Sequence, residues 1–125
     1  MAKIIAELCQ NHNGKWEILK NMIWKAKEAG ADYAKVQSML ASEIPFRQRF
    51  EEGVTENGVV KTIKRPYQPE FDRLQPMDLT DRDFERVIDE CKAADIEPMT
   101  TVFTRARIPF LSGLGMKAVK VASYD

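Results

Sequence analysis

The chain has 125 residues, 44% of them apolar, which is enough for one domain with a buried core. Its 19 basic and 19 acidic residues cancel, which excludes a general electrostatic pull toward nucleic acid or an anionic membrane, so any anion must be bound locally. No apolar run approaches the roughly 20 residues of a membrane span, and the start MAKIIAELCQ lacks the form of a secretory signal, so the expected location is cytoplasmic, without a membrane partner.

The first expected element is a strand from Lys3 to Cys9, whose apolar run Ile4, Ile5, Ala6, Leu8 is of the kind buried on both faces of a parallel sheet. Asn11-His12-Asn13-Gly14 reads as a turn. Trp16, Leu19, Met22, Ile23 and Ala26 then recur at helical spacing, with Gly30 at the C-cap. A second strand is expected at Tyr33 to Met39. After it the pattern is lost for about forty residues containing Pro45, Gly53, Pro66, Pro69 and Pro76, and a stretch that long in a compact domain is usually functional or mobile. Within it, Asn57-Gly58 predicts a small hairpin between Val54 and Ile63.

Regularity returns with a helix announced by Thr80 as N-cap, Asp83 three residues on, and Leu79 placed to staple against Phe84. Phe84, Val87, Ile88, Cys91 and Ala94 form its apolar stripe. A third strand is expected at Glu97 to Phe103, then a short helix between Arg105 and Leu114 that Pro109 delays or bends, then a fourth strand from Ala118 to Ser123. The alternation predicts an α/β fold, the first four units of a parallel (β/α) barrel of TIM type with right-handed crossovers. Cys9 and Cys91 are far apart and form no CxxC pair, so both are expected to be buried, reduced thiols.

Each strand carries a polar exception in an apolar frame: Glu7 in the first, Lys35 and Gln37 in the second, Thr100 and Thr101 in the third, Lys120 in the fourth. A buried polar group is costly unless something meets it. Alternation puts Lys35 and Gln37 on one side of their strand. Gln10, Asn11, Ser123 and Asp125 fall at the C-terminal strand ends, where barrels build active sites. Two lysines and a threonine converging from different strands suit a phosphate or carboxylate, and a facing Glu7 could hold a water or a hydroxyl proton. A single strand of this kind is explained as well by a structural salt bridge; four together favour a site. His12, the one histidine, fits a capped turn better than a metal ligand. The basic run Lys61, Lys64, Arg65 reads as solvated loop bordering the strand-end face.

The segments IIAELCQNHNG, AKVQS, TTVFTRA and VKVASYD resemble, in order and spacing, the N-terminal half of the sialic acid synthase family. These transferases condense phosphoenolpyruvate with an N-acetylated amino sugar such as N-acetylmannosamine: C3 of phosphoenolpyruvate attacks the open-chain aldehyde, water adds at C2, and phosphate leaves. The resemblance implies that residues 1–125 correspond to the first half of a (β/α)8 barrel, the second half and an antifreeze-like domain lying beyond. It places Glu7 near sugar and metal and Asp125 beside it in catalysis. Lys35 and Gln37 would contact phosphoenolpyruvate or its product. Thr101, Lys120 and Ser123 would contact phosphate and carboxylate, and Gln10, Asn11 and His12 would lie against substrate. It further implies a divalent metal, Mn2+ or Mg2+, with ligands outside this chain, and a homodimer in the full-length form. Cys9 replaces a glycine usual in the family, Val102 a frequent proline, and Tyr124 a small residue. The alternatives are another phosphoenolpyruvate-using or aldolase barrel, or a half-barrel that only binds or assembles.

Overall fold

The computed structural model describes residues 1–122. Its elements, in chain order, are β1 (Ile5–Cys9), α1 (Trp16–Glu28), β2 (Tyr33–Ser38), α2 (Gln48–Glu52), β3 (Val54–Glu56), β4 (Val59–Thr62), α3 (Tyr67–Leu74), α4 (Asp81–Ala93), β5 (Glu97–Val102), α5 (Ile108–Gly113) and β6 (Val119–Val121). The strands β1, β2, β5 and β6 pair in that order, all parallel. Strands that are neighbours in sequence are thus neighbours in space, as in one arc of a barrel.

Alternation divides the sheet into two chemically different faces. Leu8, Ala34 and Val36 point to one side, where they pack against Leu19, Ile23 and Ala26 of α1, Phe84, Val87 and Cys91 of α4, and Leu111 of α5. The helices therefore share one face, and the core lies between them and the sheet. The other face holds Glu7, Lys35, Gln37, Met99, Thr101 and Lys120. Two expectations need correction here. The apolar run is not buried on both faces: Ile5, on the inner face that no helix covers, is 42% exposed, and Ile4, just before the edge strand β1, is 60% exposed. Cys9 is only half-buried, at the open end of that strand, while Cys91 is fully buried.

The helix ends follow the local signals. Thr80 Oγ1 accepts the Asp83 amide at 3.2 Å while Asp83 Oδ2 accepts the Thr80 amide at 3.0 Å, a reciprocal cap, and both Leu79 and Phe84 join the core. Gly30 donates to the Lys27 carbonyl and Ala31 to the Ala26 carbonyl, the paired bonds of a Schellman end. The connection between β2 and α4 is more ordered than its sequence promises. It contains the expected hairpin, β3 and β4 turning through Asn57 (φ 50°) and Gly58 (φ 77°), but also the short helices α2 and α3. Pro109 lies in the first turn of α5, after a single 3-10 turn at Arg105–Arg107. No helix among the described residues is long and apolar enough to cross a membrane.

Candidate functional site

Parallel register fixes which side chains stand abreast. Glu7 is level with Lys35 and Met99, and Gln37 is level with Thr101 and Lys120, so two rows of the inner face carry the polar residues. The Lys35 Nζ lies 2.5 Å from Glu7 Oε1 and donates to Thr101 Oγ1 at 3.0 Å. Lys35 is 3% exposed, and a buried ammonium is tolerated because strands on both sides supply a partner. Glu7 is half open to solvent, and its second oxygen faces the Cys9 Sγ at 3.5 Å. Thr100 turns the other way and donates to the Val36 carbonyl at 3.2 Å, so of the two threonines only Thr101 belongs to this face.

The end of β1 is bent to serve the same face. The pairing with β2 skips a residue between Glu7 and Cys9, and Cys9 takes a left-handed backbone with φ 52°. Burial, then the neighbouring Glu7 carboxylate, pushes the Cys9 thiol up from its ordinary value. Gln10 is half-buried and Asn11 exposed in the turn that follows. His12 is 1% exposed, and its Nδ1 accepts the Gly14 amide at 3.0 Å, the geometry of a residue that holds a turn. Burial lowers its pKa against the opposing charge of Asp83. Lys120 stands level with Thr101 on the edge strand and is exposed. Ser123 and Asp125 lie outside the described residues.

A cavity of about 360 Å³ opens beside these rows. Gln37, Met39 and Phe103 line it from the strand ends, and Arg47, Arg65, Tyr67 and Arg73 from the β2–α4 connection. Reading by strand periodicity overlooked Arg47 and Arg73, and took Arg65 as solvated loop that borders the strand-end face and could meet an anionic substrate. The overlooked signal is the interleaving of basic and aromatic residues, Phe46-Arg47, Arg49-Phe50 and Arg65-Pro66-Tyr67. Among the described residues, no group of three or more His, Cys, Asp or Glu side chains comes together to hold a metal ion. The described residues of the inner face therefore do not by themselves make a site for a divalent cation.

The chain is 29% identical over 120 residues to N,N'-diacetyllegionaminic acid synthase of Legionella pneumophila, covering 96% of itself and 32% of that protein. It is 30% identical over 124 residues to N-acetylneuraminate-9-phosphate synthase of Drosophila melanogaster, covering 98% of itself and 31% of that protein. Among solved structures, the N-acetylneuraminic acid synthetase of Leptospira borgpetersenii shares the fold with a TM-score of 0.74 at 24% identity, over 96% of this chain and 35% of that one. Spore coat polysaccharide biosynthesis protein SpsE of Bacillus subtilis aligns with a TM-score of 0.65 at 28% identity, over 98% of this chain and 29% of that one. The chain thus spans about a third of the length of these relatives, and its parallel α/β sheet corresponds to part of their TIM-type barrels. With the family model matching residues 22–125, which hold three of the four strands of the parallel sheet, this chain is a member of the NeuB family, the sialic acid synthases.

Proposed function

We propose that this chain carries the phosphoenolpyruvate-binding part of a nonulosonic acid synthase, with residues 1–125 forming the first four β/α units of an eight-unit barrel. The observation that carries the reading is the clamp on Lys35. An ammonium has three N–H donors. Glu7 and Thr101 engage two of them, which leaves the third for an oxygen of a bound anion on the open face. Gln37 and Lys120, in the next row, add an amide and a second cation. Charge-assisted bonds from such a set hold phosphate and carboxylate at fixed positions.

In the reaction, C3 of phosphoenolpyruvate forms a bond to the aldehyde carbon of an N-acetylated amino sugar, water adds at C2, and the C–O bond to phosphate breaks. Lys35, Thr101 and Lys120 stabilise the anion during this displacement. Glu7, half open beside them, holds the sugar hydroxyl or the water. Gln10 and Asn11 close the β1 end, and His12 serves by holding its turn. Ser123 and Asp125 take their phosphate-contact and acid roles from the family resemblance. Metal, cytoplasmic location and homodimer formation belong to the same proposal.

The test is titration of the chain with phosphoenolpyruvate by calorimetry. Binding by the wild type and its loss in Lys35→Met is the expected result. Lys35→Met removes only one partner of the pair, but the Glu7 carboxylate left behind is half open to water and stays solvated, so the variant should remain folded, which a urea melt checks. Unchanged affinity in Lys35→Met would overturn the assignment. An aldolase is disfavoured because Glu7 and Thr101 tie up the Lys35 nitrogen that a Schiff base needs. Borohydride with pyruvate should therefore leave the chain unlabelled.

A further inference from the structure

The parallel sheet ends in two open flanks whose chemistries differ. Among the described residues, β1 pairs only with β2 and β6 only with β5, so each has a row of backbone N–H and C=O groups with no strand beside it. Such a row is a template for another strand. On the inner face, the β1 flank carries the Glu7 carboxylate, half open to solvent, with its second oxygen held only by the Cys9 thiol at 3.5 Å. The β6 flank carries Lys120, which is exposed and has no ion pair among the described residues.

The outer layer differs in shape as well. Beside β6, Val119 and Val121 stand with Ile108 and Leu111 of α5 around an apolar cleft of about 400 Å³. Val119, Val121 and Ile108 are exposed there. Beside β1 the outer layer is α1, and its two sides are unlike. On one side Lys20 lies 3.4 Å from Glu90, Trp24 Nε1 donates to Glu90 at 2.6 Å, and Lys27 donates to Asp95 at 2.8 Å, so this side is committed to α4 and its end. Helical spacing puts Ile18 on the opposite side, over the open flank, where it is exposed. One flank thus presents an apolar projection and the other an apolar recess.

We propose that in the 125-residue chain these flanks join head to tail, β6 of each copy pairing in parallel with β1 of a second copy. The proposal concerns the flanks alone and is independent of the condensation reading. A (β/α) barrel closes at eight strands, and this sheet supplies four, so two copies related by a two-fold axis close the ring and leave no edge. The side chains select this pairing over its rivals. Joining β1 to β1 or β6 to β6 brings like charges together, whereas joining β6 to β1 brings Lys120 to the Glu7 flank and Ile18 to the α5 cleft. Lys120 has three N–H donors and keeps some of them for a bound anion.

Sedimentation velocity on the chain over a wide concentration range tests this. The wild type should pass from one discrete species to another of twice its mass, with nothing larger, because a closed ring has no edge to extend. Lys120→Glu should raise the dimer dissociation constant at least about tenfold, since it puts like charges at both junctions. Val121→Asp and Ile18→Asp, on opposite flanks and both exposed, should each abolish the dimer while keeping the circular dichroism of the wild type. Hydrogen exchange on the wild type needs no variant: raising its concentration should narrow the gap in protection between the amides of β1 and β6 and those of β2 and β5. A monomer at every concentration overturns the proposal and leaves the flanks to a different segment. An unchanged constant in Lys120→Glu overturns it as well. Loss of the dimer in Val121→Asp with retention in Ile18→Asp means that β6 pairs with β6, and a ladder of growing oligomers means open-ended stacking; either result excludes the closed ring. Phosphoenolpyruvate takes no part in these measurements, so their failure leaves the condensation reading standing.

Discussion

Cys9 occupies a left-handed backbone conformation, φ 52°, that crowds the Cβ of any ordinary residue against the following carbonyl. Glycine carries no such penalty. Cys9→Gly should therefore stabilise the chain by about 1 kcal/mol in urea denaturation, offset in part by the loss of the weak thiol contact to Glu7. A destabilised variant would show that Cys9 packing outweighs its backbone strain. His12 makes a different demand. Burial lowers its pKa from 6.5, so the unfolded chain takes up a proton below about pH 6.5 while the folded chain resists one. Its contribution is thus fully present above pH 6.5 and declines as pH falls below it, until the folded imidazole protonates. Because the chain has one histidine, the fall in stability between about pH 6.5 and 5 should flatten in His12→Asn, measured by urea midpoints across that range. An unchanged slope would mean that carboxylates govern that window.

At the scale of elements, the β1–α1 turn and the end of the β2–α4 connection are locked by one missing side chain. Gly14 has φ 71°, and a Cβ placed there would lie 2.0 Å from the Pro76 carbonyl oxygen, a backbone atom with little room to retreat. Gly14→Ala should destabilise the chain by more than about 2 kcal/mol, combining steric overlap with an unsuitable φ. A thermal melt within a degree or two of the wild type would show the connection to be free to move away. The legibility of the fold tracks how local each signal is. The reciprocal cap of Thr80 and Asp83 and the Asn57-Gly58 hairpin are complete within four residues, so the sequence states them outright. Helices α2 and α3, with five and eight residues, show too few turns for a 3.6-residue period, and Pro69 within α3 reads as a breaker. The inner-face rows were legible because strand alternation is strict over Lys35 and Gln37. The arginine cavity was not, because the interleaved basic and aromatic residues do not by themselves say that Phe50 joins Arg47 to Arg65 through backbone bonds.

In the whole molecule, the sheet is asymmetric in how well its strands are held. Among the described residues, β2 and β5 are paired on both sides, while β1 and β6 each have a neighbour on one side only. The edges also expose apolar side chains, Ile5 on β1 and Val121 on β6, the latter 79% exposed. Opening free energies within a domain follow burial and pairing, so the central strands should set the global stability and the edges should open below it. Hydrogen exchange on the chain at low concentration should find the slowest amides at residues 34–37 and 99–101. Amides of β6 should exchange at least about a hundredfold faster, a gap of roughly 2.7 kcal/mol. The same asymmetry bears on the site, because Lys35 and Thr101 sit on the two well-held strands whereas Glu7 and Lys120 sit on the edges. The anion clamp is thus anchored at its centre and loose at its flanks. Protection of β6 equal to that of β2 would contradict this ordering and would mean that another strand pairs with the exposed edge in solution.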